Sequence, residues 1–232
     1  MFYWINISND LQILAALIAV SIAVVAFWNY LRIRSWKLLV LSIAYTMLAA
    51  YNVIPYYSWI DPNFYNEVPF DIFYIQELIE FLAFAVLAYI YYSERRARGI
   101  KITRLHWIVG GLVVGTFFSL LAYLILTVGY LTLDLGQAIS WSLFVIGIPV
   151  LEIYIIVSLF SYYKGVKNKN TLIVMAGFVC LFSYYLVITF LSYLLSHVWD
   201  YDVSFVFALA SALTLAGYTL FLVALLRPKG SR

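Results

Sequence analysis

The sequence predicts an all-α, polytopic integral membrane protein: one bundle of seven transmembrane helices, with the N-terminus outside and the C-terminus cytoplasmic. Three observations carry that expectation. The 232 residues are 66% hydrophobic and 11% charged, with a mean hydropathy of +0.97, whereas soluble domains are about 25% charged. Seven apolar stretches, each long enough to cross roughly 30 Å of hydrocarbon as a helix, follow one another with only short polar connections. Finally, all 14 lysines and arginines fall in four segments: Arg32, Arg34, Lys37; Arg95, Arg96, Arg98, Lys101, Arg104; Lys164, Lys167, Lys169; and Arg227, Lys229, Arg232. The alternate connections hold Asp10, then Asp61, Glu67 and Asp71, then Asp134, then Asp200 and Asp202, with no basic residue. Basic residues beside spans stay on the cytoplasmic side, so the alternation sets both the span count and the orientation.

The first span, 11–31, stops before Arg32 and has no basic segment in front of it, so it is expected to serve as the insertion signal and remain in the protein. The second, 37–57, opens beside Trp36 and carries Asn52 ahead of Pro55. The third, 70–92, contains Gln76, Glu77 and Glu80 and runs into the largest basic segment. The fourth, 105–130, bears a small-residue stripe of Gly111, Gly115 and Ser119, suited to close helix packing. The fifth, 136–163, holds Pro149 and Glu152. The sixth, 171–196, places Tyr185, Thr189, Ser192, Tyr193 and Ser196 on one face. The seventh, 203–226, has a second small stripe, Ser204, Ala208, Ala212 and Ala216, together with Ser211, Thr214 and Tyr218. Helices are required because segments this long, without period-2 alternation, must satisfy their own backbone in lipid.

Interfacial aromatics agree with this layout. Tyr3, Trp4, Tyr56, Tyr57, Trp59, Trp199 and Tyr201 fall at the outer boundary, and Trp36 and Trp107 at the inner one. The loop 58–69, with Pro62 and Pro69, is the only connection large enough to form a cap. The span count is odd and no internal repeat is visible, which argues against an inverted-repeat transporter.

Several function classes are excluded at this level. The net charge of +3 is spread over membrane-adjacent segments, so anionic headgroups rather than nucleic acid account for it. The seventh span contains no lysine for a retinal Schiff base. His106 and His197 lie on opposite sides of the membrane, which leaves no zinc pair and no heme ligation. Cys180 is the single cysteine, read as a small packing residue. No cofactor, no metal and no nucleophile and base pair is expected, and the chain reads as non-enzymatic. A sequon at Asn6 to Ser8 lies close to the membrane.

The chemistry concentrates in three acids inside apolar spans, Glu77, Glu80 and Glu152. An ionisable side chain at membrane depth is costly and normally faces the bundle interior, paired, protonated or functional. Glu77 and Glu80 are three residues apart and share a helix face. Counted from Phe70 they lie roughly 10 and 15 Å from the outer boundary, and Glu152, counted from Gly136, roughly 24 Å from it, nearer the cytoplasmic side. With no lysine or arginine at that depth, the three cannot all be comfortably ionised, and at least one is expected to carry a proton. They could form a proton or cation path or a site for a cationic ligand. Alternatively they are protonated groups that hydrogen-bond Tyr, Ser or Asn neighbours and hold helices in register. Asn52, Tyr185 and Tyr218 complete the candidate ligand- or ion-binding set, as the lining of a polar, aromatic-walled cavity.

The third span reads Gln76, Glu77, Leu78, Ile79, Glu80, Phe81 and ends in Tyr91, Tyr92 and the Arg95 to Arg98 cluster. With an external N-terminus and short loops, the layout resembles the seven-helix N-terminal sensor regions of histidine kinases and related prokaryotic signalling proteins. That resemblance implies a sensor in a prokaryotic cell membrane. The chain ends six residues after Leu226, so the signal is expected to pass to a separate cytoplasmic or membrane partner protein. The expected role is a receptor-like or accessory module, embedded in the lipid bilayer and binding a small ligand or membrane partner. A proton- or cation-coupled transport component is the alternative.

Overall fold

The computed structural model describes residues 2–60, 71–97, 147–191 and 204–227, which form six α-helices and no strand. They are α1 (Phe2–Ile33), α2 (Trp36–Ile60), α3 (Asp71–Ala97), α4 (Ile148–Val166), α5 (Lys169–Leu186) and α6 (Ser204–Leu226). A π-helical turn, Val187–Leu191, continues α5. Five of the helices, all except α3, are long and apolar enough to cross a membrane, so the chain is a multi-pass membrane protein. α3 is also long, 27 residues or roughly 40 Å, but Glu77, Glu80, Glu94, Arg95 and Arg96 interrupt its apolar run. The expected fourth span, its Gly111, Gly115 and Ser119 stripe, and the first part of the fifth lie outside the described residues.

Each helix packs against the next in chain order, and α6 returns to α1, so the six enclose a common interior. Small residues allow the close approaches. Ala15, Ala19 and Ala26 on α1 are fully buried, while Leu14, Leu17, Val24 and Trp28 on its other side are exposed to lipid. Ser42 donates to the Ala23 carbonyl across the α1–α2 contact at 2.8 Å. Between α5 and α6, Gly177 and Gly217 face each other, and a Cβ on Gly177 would stand 2.4 Å from the Phe221 ring. The backbones meet there because neither residue has a side chain.

Two tight turns join neighbours at the basic end. Arg34 adopts a left-handed conformation (φ 56°) and donates its backbone N–H to the Tyr30 carbonyl at 2.7 Å, closing α1 before α2 begins. Lys167 does the same after α4 (φ 51°), bonding to the Tyr163 carbonyl. Asn168 then caps α5 by accepting from the Asn170 backbone N–H. Non-glycine residues in this region cost about 1–2 kcal/mol, which the capping bonds offset.

Two expectations about elements are corrected. α1 begins at Phe2, well before the apolar run at 11, because Ser8 is buried and bonded to Ser211 at 2.8 Å, a tertiary contact that hydropathy does not register. The α6 stripe only partly faces inward: Ser204 and Ala208 are buried, whereas Ala216 is exposed. A repeat of four residues drifts about 40° per step around a helix of 3.6 residues per turn, so by Ala216 the stripe has left the interface and Gly217 has taken its place.

Candidate functional site: a buried acid and tyrosine cluster

All six described helices contribute to one small cavity of about 70 Å³. Glu80 comes from α3 and Glu152 from α4; Asn52 from α2, Tyr185 from α5 and Tyr218 from α6 surround them. Gln12 of α1 closes the ring. Five of the six residues singled out in the sequence therefore meet around one space. The sixth, Glu77, lies outside the cavity lining, half-buried and within electrostatic range of Glu80.

The neutral members are organised by hydrogen bonds. Asn52 donates to the Leu48 carbonyl at 2.7 Å and to the Tyr218 hydroxyl at 3.2 Å, which locks the amide and aims the phenol. The Tyr51 hydroxyl pairs with that of Tyr184 at 3.4 Å, and Gln76 reaches the Tyr51 carbonyl at 3.5 Å. The phenols of Tyr51 and Tyr185 are electrostatic neighbours of the Glu80 carboxyl. The Tyr184 and Tyr185 rings stand edge to face, 4.9 Å apart, immediately before the π-helical turn.

The acids are organised differently. Glu152 is 0% exposed and Glu80 4%. Among the described residues, neither carboxyl oxygen of Glu152 has a hydrogen-bond partner, and neither does Oε2 of Glu80. The two acids are electrostatic neighbours, and among the described residues no lysine or arginine lines the cavity. Removing an ionised carboxylate from water without a compensating charge costs several kcal/mol, and two such charges facing each other cost more. Ionising both acids without a compensating charge is therefore costly. The cavity sets the scale, since each water occupies about 30 Å³ and the space admits about two. Organic ligands need roughly 300 Å³ or more.

Along their own helices Glu152 lies roughly 21 Å from Val166 and Glu80 roughly 26 Å from Ala97. Pro149 lies in the first turn of α4 as described, one turn before Glu152, where its missing N–H is tolerated.

Sequence reasoning missed Gln12, Tyr51 and Tyr184. Gln12 had a usable signal, an amide within a strongly apolar span. The tyrosines had none, because 21 tyrosines serve interfaces and interior alike. The side chains of Thr189, Ser192, Tyr193 and Ser196 lie outside the described residues. No protein-family model, no curated protein and no solved structure matches this chain.

Proposed function

We propose that this is a non-enzymatic, proton- or cation-coupled transport component, with Glu80 and Glu152 as the groups that exchange the ion and Glu77 beside them. The observation that carries the reading is their shared burial, at 4% and 0% exposure, at a cavity of about 70 Å³ that no basic residue lines among the described residues. A site of that size takes a proton, a small cation or water, and the tyrosine and amide groups supply neutral oxygens around it.

In this reading the protein has seven spans, an external N-terminus and a cytoplasmic C-terminus, in a prokaryotic cell membrane. Lys37 of α2 pairs with Glu94 of α3, and Glu94, Tyr162, Asn170 and Leu225 border one cavity, which supports a single basic face. α3 and α4 both finish at that face, as one further crossing between them would produce.

A receptor-like or accessory role for the same cluster, resembling the sensor regions of histidine kinases, is the second reading. The π-helical turn directly after Tyr185 favours it, since such turns are often found at functional sites. There, a change of proton or cation occupancy would be passed to a separate protein.

Reconstitution into vesicles separates the two readings. Transport predicts pH- or monovalent-cation-driven flux that falls to the level of empty vesicles in Glu152→Gln. Flux in that variant equal to wild type contradicts the assignment of Glu152. No flux in either protein, with an ion-dependent shift in thermal stability that Glu152→Gln removes, transfers the assignment to the receptor reading.

A further inference from the structure

A second and larger cavity lies towards the basic ends of the helices. We infer that it is a binding site for a small neutral aromatic molecule bearing a carbonyl acceptor, separate from the acid cluster and independent of its function. Its volume is about 330 Å³, within the range of sites for small organic molecules.

The lining specifies the chemistry. Tyr45, Tyr91, Tyr162 and Phe221 come from four different helices and offer aromatic faces, with Ile22, Leu41 and Val174 among the aliphatic lining and Ser158, Asn170 and Thr171 among the polar. Among the described lining residues the charged one is Glu94, and it is paired with Lys37. Among those residues an ionic ligand would find no uncompensated charge to meet it. Flat apolar contact therefore dominates, and one buried point of the polar lining is left without a partner among the described residues.

That point is Ser158. It is 2% exposed, lines the cavity, and its hydroxyl has no hydrogen-bond partner among the described residues. Several other helical hydroxyls satisfy themselves locally: Ser21, Thr46, Ser161, Ser183 and Thr219 each donate to the carbonyl four residues back, at 2.8–2.9 Å, and buried Ser8 and Ser42 bond across helices. A serine in a helix has the local bond open to it, yet Ser158 makes neither kind among the described residues. A buried hydroxyl left unmade costs about 1–3 kcal/mol. A carbonyl oxygen entering the cavity would accept its proton and remove that penalty on binding.

A matched pair of probes tests this: acetylnaphthalene, which carries the acceptor, and ethylnaphthalene, which has the same shape without it. With the full chain in nanodiscs, acetylnaphthalene should quench tyrosine and tryptophan emission saturably and bind more tightly than ethylnaphthalene. Ser158→Ala should weaken acetylnaphthalene about threefold to tenfold, the worth of one hydrogen bond, and leave ethylnaphthalene unchanged. The variant should fold as well as wild type, because it deletes a hydroxyl with no partner. Ala224→Trp, which fills the cavity, should abolish saturable binding of both. Equal affinities for the two probes, an equal response of both to Ser158→Ala, or saturable binding that survives Ala224→Trp would overturn the inference.

Discussion

Glu94 and Glu152 are both carboxylates on helices of the same bundle, yet their surroundings are opposite. Glu94 sits at the basic end with a side chain about one-third exposed (32%) and is bonded to Lys37. Glu152 is 0% exposed, faces Glu80, and has no partner for either oxygen among the described residues. The contrast teaches where charge is used for architecture and where it is kept for chemistry. At the basic end a pair forms in partial contact with solvent, where such pairs contribute only about 0–1 kcal/mol. In the centre, no basic side chain among the described residues faces the two acids, and in the proposed function something small that can enter and leave takes that place.

The largest effect should come from breaking the central half of this comparison. Glu152→Gln keeps the shape and removes the exchangeable proton, so ion-driven flux should vanish while the fold survives, measured by vesicle flux beside thermal unfolding in nanodiscs. Loss of fold together with flux would mean that Glu152 is structural. A smaller, purely structural effect is expected from Tyr218→Phe. It deprives the Asn52 amide of its side-chain partner at 3.2 Å, which should destabilise by about 1–2 kcal/mol, measured as a lowered unfolding midpoint; no change would remove that bond from the account. Smallest of all should be Glu94→Gln. It breaks the pair with Lys37 at a third-exposed site and should change stability by less than about 1 kcal/mol, with flux unaltered. A large loss of flux in Glu94→Gln would erase the distinction between the two acids.

Much of this is legible in the sequence for physical reasons. A carboxylate in a span without a basic partner must turn inward, so the sequence alone assigns Glu80 and Glu152 to the interior. Asn52, Tyr185 and Tyr218 follow from the same cost of exposing polar atoms to lipid. What sequence reasoning misjudges is how far a pattern persists along a helix. It assigns Ala216 to a packing face because a four-residue repeat is extended further than helix geometry permits. Ser8 and Gln12 escape notice because their roles come from partners on other helices, Ser211 in one case and the common cavity in the other. Ser158 is equally silent, since nothing in its sequence neighbours signals that its hydroxyl forgoes the bond four residues back.

The central claim is that Glu80 and Glu152 together hold an exchangeable proton or cation in place of a basic side chain. Infrared spectroscopy of the protein in lipid, in the carbonyl stretching region of protonated carboxylic acids, tests it most directly when recorded at neutral pH with and without monovalent cations. The account predicts a buried carboxylic acid band that is lost in the Glu80→Gln, Glu152→Gln double variant, or a cation-dependent carboxylate band that the same variant removes. A spectrum in that region identical in wild type and double variant, under all these conditions, would contradict it.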